Sequence, residues 1–515
     1  MATQPTIWLM YLEKSKLGST TRVRIVEKRL ENGVWKKKLI RHIGTAKSDT
    51  DLEFLMEKAQ ETLLELKHKD QLMLPFPDDS SLSGLRTVGE YHQGAELVLG
   101  GLFDRLGIPL ANVALLRQLI MARILHPVSK RRTAQFINTS FGAGLDEEKI
   151  YRFMDSISKS QSNILDKARG YVTSCYPGSF GYILYDVTTL YFETDSEDED
   201  QYGVAGFRKR GYSKDKRDDL PQVVLGLGVN SLGMPLTFKL YPGNTYEGST
   251  LISGIDETLK TLGQNSLTVV GDAGMLSEKN LSALEQRNLF YIVGARLKSL
   301  PKSLQEEILA IDFTNITTSE ITHKDRRLVI SYSASRAKRA VSLRKRSIAR
   351  LETLIAKNQA VRKHQFLDFS IKEKPKIDLE AIEAASKWDG IKGYVTNNFE
   401  LEPSLVIDHY GELYKIEQSF RMSKTDLRIR PAFHFIKRRI EAHVIICMLS
   451  LCVLRMLGQE AKPLGLTYRQ ALDEISSAKA AILSLGEQRF LVPPAYGPEM
   501  QRLIRSLESG QAANR

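Results

Sequence analysis

The sequence contains little cysteine and no long uncharged apolar run. Its 515 residues include only three cysteines, which are too few for a disulfide framework and do not fit a zinc-binding pattern. The most apolar stretch, residues 442–457, includes His443 and Arg455 and is short for a membrane-spanning helix. The first five residues lack the basic start and apolar core of a secretory signal. These absences predict a cytoplasmic protein with reduced cysteines and no membrane partner.

Acidic residues are outnumbered by basic ones. The formal net charge is +12, while 42% hydrophobic and 26% charged residues are ordinary for a soluble globular protein. This excess of positive charge favours a polyanionic partner, nucleic acid before acidic lipid, with a merely basic soluble protein as an equal alternative. A chain of 515 residues is too long for a single core, so we expect two to four domains.

The first 70 residues predict a small basic unit of strands and a helix. Residues 6–44 alternate in short strand-like runs, and the turn sequence Glu31–Asn32–Gly33 lies between two of them. Residues 50–69 carry apolar side chains at helical spacing. Residues 70–84 are rich in proline, serine and aspartate and predict a linker.

Residues 85–177 predict a helical domain that binds DNA. Two helices, 112–125 and 129–140, are separated by His126–Pro127, and three basic residues open the second. Those three are Lys130, Arg131 and Arg132. The pair is compatible with a helix-turn-helix. Because two helices and a turn occur in any helical domain, a purely structural role is the alternative.

An alternation of strands and helices follows, and it predicts a mixed α/β sheet with helices on its faces. The pattern occupies residues 178–298 and resumes at residues 386–460; its first strand, 181–193, is apolar enough to be covered on both faces. Residues 299–385 are charged and largely helical, so we expect a mainly helical insertion rather than part of the sheet. Its basic helix is either a solvated face or a phosphate contact. Residues 461–515 form a C-terminal extension.

Three acidic residues are candidates for a metal site. Asp186 lies in the middle of the apolar first strand, where a lone carboxylate is costly unless it is hydrogen-bonded, paired or bound to a cation. Asp272 ends the fourth predicted strand, and Glu417 lies on an amphipathic helix further along the chain. Together they would suit two Mg²⁺ ions, or Mn²⁺, about 4 Å apart for in-line phosphoryl transfer. The alternative for Asp272 is a helix cap or a turn residue.

Four segments resemble the DDE transposases of bacterial insertion sequences, and the insertion-sequence-four-like superfamily is the nearest group. They are YDVTTLYFE (185–193), GYSKDKRDDLPQVVLGL (211–227), VVGDAGMLSEKN (269–280) and YGELYKIEQSFRMSK (410–424). All four occur in the family's order, and the resemblance covers roughly residues 90–460. It implies an RNase H-like catalytic core with an insertion before the last acidic residue. It also implies that Asp186 and Asp272 are the metal-binding aspartates and Glu417 the glutamate.

The resemblance also implies residues that contact DNA. Tyr410 and Lys424 fall at the family's spacing around Glu417, but Leu413 occupies a position where the family has arginine. Lys415 or Arg421 is a candidate replacement for that arginine. Further candidates for DNA contact are Arg428 and the basic loop residues Lys214, Lys216 and Arg217. The alternative for the loop and for Lys424 is an ordinary solvated surface.

The function that the resemblance implies is transposition. We expect a bacterial, nucleoid-associated enzyme that binds the terminal inverted repeats of its own element and cuts there with metal-activated water. The freed 3′ hydroxyl would then attack target DNA, and pairing two element ends predicts a dimer on double-stranded DNA. The alternatives are an RNase H-like nuclease without strand transfer and a non-catalytic DNA-binding protein.

Overall fold

The computed structural model shows a mixed α/β protein. The described residues are 7–17, 20–31, 34–46, 48, 51–52, 55–56, 58–59, 62–63, 84–199, 206–262, 267–274, 277–357, 359, 363–368, 375–485 and 488–513. Within the predicted helix 50–69, the described positions from 51 onwards are helical. Apart from Gly84, the predicted linker 70–84 lies outside the described residues.

The N-terminal unit is an antiparallel three-stranded sheet, which confirms the predicted β-rich start. Its strands are β1 (Ile7–Leu17), β2 (Thr20–Glu31) and β3 (Val34–Ala46). Strand β2 lies in the centre and pairs with both neighbours. The predicted turn at Asn32–Gly33 lies outside the described residues, but Glu31 pairs with Val34 on either side of it.

A helical region follows strand β4 (Leu85–Tyr91) and a helical segment from Gln93 to Arg105. Its helices are α1 (Val113–Leu125), α2 (Lys130–Phe141), α3 (Glu147–Lys159) and α4 (Gln161–Cys175). Of the three basic residues that open α2, Arg131 and Arg132 are exposed but Lys130 is buried. Lys130 therefore faces the protein interior rather than a DNA surface.

The large sheet contains eight described strands. They are β5 (Ile183–Tyr191), β6 (Gln222–Val229), β7 (Pro235–Pro242), β8 (Thr268–Gly271), β9 (Phe290–Ala295), β10 (Thr318–His323), β11 (Arg326–Tyr332) and β14 (Ile391–Thr396). Their order across the sheet is β10-β11-β14-β9-β8-β5-β6-β7. Strands β5, β8 and β9 run parallel, and β6 is antiparallel to its neighbours. The mixed sheet with flanking helices confirms the predicted fold class.

The prediction that residues 299–385 lie apart from the sheet is wrong for β10 and β11. These strands form a hairpin that extends the sheet beyond β14. Its two-residue turn, Lys324–Asp325, has φ values of 50° and 58°. Such turns are usually marked by Asn-Gly or Asp-Gly, and Lys-Asp gives no such signal. Edge strand β10 is also polar and only partly buried, so its composition does not resemble that of a core strand.

The remaining elements are ten α-helices and four short strands of the described residues. The helices are α5 (Glu247–Leu262), α6 (Glu278–Glu285), α7 (Lys302–Leu309), α8 (Ala334–Ala356), α9 (Leu379–Ser386), α10 (Pro403–Gly411), α11 (Tyr414–Arg421), α12 (Lys437–Ala461), α13 (Tyr468–Ser477) and α14 (Pro498–Ala513). The short strands are β12 (Leu367–Asp368), β13 (Lys376–Ile377), β15 (Ala480–Leu485) and β16 (Gln488–Val492). Strand β15 pairs with β4, so the C-terminal extension contacts the start of the helical region.

Helix α12 and the turn after it, Lys437–Leu464, are long and apolar enough to cross a membrane, with a mean hydropathy of 2.0 over the most apolar window. However, 89% of that window is buried inside the protein. The segment therefore serves as a central core helix, and it packs against α1, α3 and β7. Two of the cysteines, Cys447 and Cys452, are buried on it as free thiols.

Candidate active site

Asp186 in β5 and Asp272, the first residue after β8, lie side by side. Strand β5 runs parallel to β8, and Leu184 is paired with Val270. Each aspartate comes two residues after its paired residue, so both reach the same level and the same face of the sheet, on strands about 4.8 Å apart. The two carboxylates are electrostatically coupled. Folding thus brings together the two aspartates that the sequence analysis selects.

The surroundings of the two carboxylates differ. Asp186 Oδ1 accepts a hydrogen bond from the backbone N–H of Val187 at 2.8 Å, and Asp272 Oδ1 accepts one from Ala273 at 2.7 Å. Asp186 is enclosed by buried strand residues, whereas Asp272 is exposed at its strand end. Burial raises the pKa of Asp186 despite a nearby ammonium group, and the negative charge of Asp272 adds to the rise.

Lys214 links Asp186 to a carboxylate that the sequence analysis does not select. Its Nζ lies 3.6 Å from Asp186 Oδ1 and 3.4 Å from Glu247 Oε1, and it donates a hydrogen bond of 2.7 Å to the carbonyl of Val187. Glu247 Oε1 is shielded from solvent and accepts no hydrogen bond from any described residue. Glutamate is common in the first turn of a helix, so the position of Glu247 at the start of α5 gives no sequence signal.

Tyr410 packs onto the sheet beside Asp272. Gly271 at the end of β8 pairs with Val293, and Gly294 pairs with Tyr394. Asp272, Gly294 and Tyr394 therefore lie in one row across the sheet. A Cβ atom at Gly294 would overlap the Tyr410 hydroxyl, so only glycine leaves room for this phenol. The rings of Tyr394 and Tyr410 are 5.0 Å apart and meet edge to face, and Lys392 Nζ lies 4.5 Å from the centre of the Tyr410 ring.

Glu417 is exposed in the first turn of α11. Burial raises the pKa of Tyr410 to about 12, with further contributions from the negative charges of Asp272 and Glu417. Tyr410 therefore lies within electrostatic range of both carboxylates. Within the described ranges, however, no group of three or more His, Cys, Asp or Glu side chains is arranged to hold a metal ion. The structure brings the two aspartates together but does not bring Glu417 into a ligand group with them.

Lys424 is tied to the basic loop that carries Lys214. It lies in the π-helical turn after α11, Met422–Asp426, and its Nζ is 3.3 Å from Asp215 Oδ1. Arg430 binds the same oxygen at 2.9 Å. Burial lowers the pKa of Lys424, and Asp215 opposes this effect. Asp215 thus holds the turn after α11 against the loop beside Asp186.

The other predicted DNA contacts are on the surface. Lys216 and Arg428 are exposed and have positive φ values of 58° and 44°. Arg217 pairs with the exposed Asp219 at 3.1 Å and lies over the ring of Tyr191. Leu413, at the family's arginine position, packs partly buried against the core and carries no charge.

The ammonium of Lys214 shows that this site accommodates a positive charge. It lies between two carboxylates, where a divalent ion with oxygen ligands would bind. The carboxylates of Asp186, Asp272 and Glu247 have oxygen atoms of the kind that Mg²⁺ prefers. The type of donor near β5 and β8 therefore suits a hard cation, although no three acidic side chains form a ligand group in the described residues.

The chain belongs to the family described as the Transposase DDE domain, whose profile matches residues 181–453, slightly more than half of its length. The match spans β5 to most of α12 and includes all three carboxylates selected from the sequence. The protein is therefore a transposase of the DDE class. No curated protein matches the chain.

Two solved transposase structures are distantly similar. A cryo-EM structure of a piggyBac transposase synaptic complex with hairpin DNA shares 9% identity at a TM-score of 0.38, covering 82% of each chain. A Mos1 transposase paired-end complex with the left transposon end shares 10% identity at a TM-score of 0.16, covering 32% of this chain and 53% of that one. Both likenesses are too distant to support conclusions about the site.

Proposed function

We propose that this protein is a DNA transposase that binds the terminal inverted repeats of its own element, cleaves DNA there and joins the ends to target DNA. The observation that carries the proposal is the placement of Asp186 and Asp272 at one level of neighbouring parallel strands. Two carboxylates this close repel each other unless a cation lies between them. The family supplies the reaction class, which is metal-dependent DNA cleavage.

Asp186, Asp272 and Glu417 are the residues that would hold two Mg²⁺ ions, for which Mn²⁺ could substitute. When bound, such ions activate water and stabilise the attacking and leaving oxygens of an in-line displacement. Glu417 forms no ligand group with the two aspartates in this structure, so the proposal requires α11 to approach the sheet in the DNA-bound protein. Tyr410 lies near both carboxylates, since the negative charges of Asp272 and Glu417 both raise its pKa.

The basic side chains position the DNA. Lys214 holds the Asp186 carboxylate in place, and its ammonium would also be available to a DNA phosphate beside this site. Lys424 is anchored by Asp215 at the same edge. Tyr410 and three exposed or surface cations complete the proposed DNA contacts: Lys216, Arg217 and Arg428. Double-stranded DNA is therefore the proposed partner, with a dimer forming when two element ends are paired, in the nucleoid of a bacterial cytoplasm.

The test is cleavage of a DNA fragment that carries the gene for this chain with its natural flanks. Asp186→Asn, Asp272→Asn and Glu417→Gln should each lower Mg²⁺-dependent cleavage by at least about 100-fold while DNA binding is retained. Asp325→Asn and Glu400→Gln change exposed carboxylates outside the site and should leave cleavage unchanged. Cleavage at the wild-type rate by any one of the three variants would remove that residue from the proposed site.

A second assay separates transposition from simple nuclease activity. Element ends that are already cut are incubated with the protein, Mg²⁺ and a supercoiled target plasmid. Joined products are expected, because the same site performs both in-line transfers. Cleavage of uncut ends without any joining of the cut ends would identify a nuclease.

A further inference from the structure

A cleft of about 650 Å³ lies between the sheet and the insertion. One wall is formed by the end of β9 and the residues after it, and another by α8. Strand β14 contributes Ile391, Lys392 and Gly393 to the lining. Because Lys392 Nζ lies 4.5 Å from the centre of the Tyr410 ring, which packs beside Asp272, this part of the cleft adjoins the candidate active site.

The cleft is cationic, and most of its charge is not neutralised by the protein. Arg296 and Lys298 are exposed on one wall, and their side chains form no ion pair or hydrogen bond with any described residue. Arg344 on the other wall donates to the Asp389 carboxylate at 2.7 Å, so this pair adds no net charge. A surplus of cations in a concave site favours an anionic ligand.

Lys392 is a further cation of this lining. Gly393 on β14 pairs with Ala295 at the end of β9, and the two strands are antiparallel. Lys392, one residue before Gly393, therefore lies opposite Arg296. It also contacts the Tyr410 ring, three residues before the position where Leu413 replaces the family's arginine. Lys392 therefore supplies a cation on the Tyr410 side of the site, where Leu413 carries none.

We propose that this cleft binds a single DNA strand that leaves the active site on the Asp272 side. Its phosphates would contact Lys392, Arg296 and Lys298, and its sugars and bases would rest on apolar lining such as Leu343, of which 52% is exposed. A phosphate backbone, which carries charges at regular intervals, matches cations that come from three separate positions, two after β9 and one on β14. The inference rests on the proposed function and names the place where one strand is held.

The experiment compares two double variants that remove the same charge. Arg296→Gln/Lys298→Gln changes the cleft, and Arg339→Gln/Lys338→Gln changes exposed residues of α8 that do not line it. Binding is measured by fluorescence anisotropy, without Mg²⁺, to a labelled duplex with a single-stranded extension and to the matching blunt duplex. The cleft variant should weaken binding of the extended duplex about 10-fold and reduce its salt dependence by between one and two ions. It should affect the blunt duplex less.

Lys392→Gln is the second variant, and it should reproduce about half of the effect on the extended duplex. Equal losses in the two double variants, or equal losses for the two DNA probes, would overturn the inference while leaving the proposed function intact. Poly-glutamate should compete poorly with the extended duplex. If poly-glutamate competes as well as unlabelled DNA, and this competition is lost in the Arg296→Gln/Lys298→Gln variant, the ligand of the cleft would instead be an acidic protein segment. If the wild-type protein binds neither DNA probe, the proposed function itself fails.

Discussion

Asp186 within β5 and Asp272 just after the end of β8 lie at the same level of the sheet, yet one is neutralised by the protein and the other is not. On the Asp186 side, Lys214 contacts the carboxylate and its loop is held by Asp215. On the Asp272 side, the nearby lysine, Lys392, rests on aromatic rings, and Arg296 has no ionic partner in the described part of the chain. The charges on the Asp186 side are thus balanced within the protein. The cations on the Asp272 side, in contrast, suit an anionic ligand.

This difference follows from the position of each strand in the sheet. Strand β5 is central and buried, so a charged side chain in it must find a partner inside the protein. Strand β8 ends at Gly271, and Asp272 enters a solvated turn where water can solvate its charge. The neutralised side, around Asp186, is therefore held in place by ion pairs. The open side, around Asp272, is held in place by packing around Tyr410. The following substitutions test this contrast, beginning with the largest expected effect.

Gly294→Val should inactivate the open side. The new side chain would occupy the space of the Tyr410 phenol and displace it from Asp272. Overpacking of this kind costs about 1–3 kcal/mol of stability, and a displacement of about 1 Å can lower activity roughly 100-fold. Urea denaturation and the Mg²⁺-dependent cleavage assay measure the two effects.

The matched control is Gly170→Ala in helix α4. A Cβ at Gly170 meets no atom within 4 Å, so the substitution should raise stability by about 0.5–1 kcal/mol without changing cleavage. If Gly294→Val cleaves DNA normally, Tyr410 has no role in ordering the Asp272 side.

Much of this candidate site could be predicted from sequence because a charged side chain stands out in an apolar stretch. A carboxylate in the apolar strand around Asp186 needs a partner, and the spacing around Glu417 follows a family pattern. The strand alternation also predicts the mixed sheet, since periodicity reflects burial directly. What these features share is that each is local in the sequence.

The parts that could not be predicted depend on contacts between distant segments. Gly294 gives no local signal, because its need for a small side chain arises from Tyr410, which is 116 residues further along the chain. Glu247 and Lys392 are ordinary residues of a helix start and a strand until the fold places them beside the two aspartates. The hairpin turn Lys324–Asp325 gives no sequence signal, because its residues differ from those usual in such turns.

The two lysines beside the aspartates should respond differently to removal. Lys214→Met leaves the Asp186 and Glu247 carboxylates without their shared cation, and we expect a loss of about 1 kcal/mol after allowance for partial solvent exposure. Lys392→Met removes an exposed charge and should change stability by less than about 0.5 kcal/mol. It should nevertheless weaken binding to extended DNA. Urea denaturation and anisotropy on both variants give the comparison.

Equal stability changes in the two methionine variants would contradict the contrast between the two sides. A larger loss of stability for Lys392→Met than for Lys214→Met would reverse the contrast. It would mean that the aromatic contact of Lys392 is stronger than the ion pairs of Lys214. Lys214→Arg serves as the control for charge, because it keeps the cation while changing its shape.

The smallest expected effect is a pH dependence that comes from Asp186. Burial raises the pKa of its carboxyl in the folded state above the value of about 3.9 in the unfolded chain. Between these two values the folded protein retains a proton that the unfolded chain has lost, so the contribution of Asp186 to stability falls as pH rises through this window. Asp186→Asn removes the titration, and its stability relative to wild type should increase from about pH 4 towards neutral pH. Urea denaturation across that range measures the trend, with Asp325→Asn as the exposed control. A relative stability of Asp186→Asn that decreases with pH would show that Lys214 outweighs burial, and Asp186 would then be held as a stable ion pair.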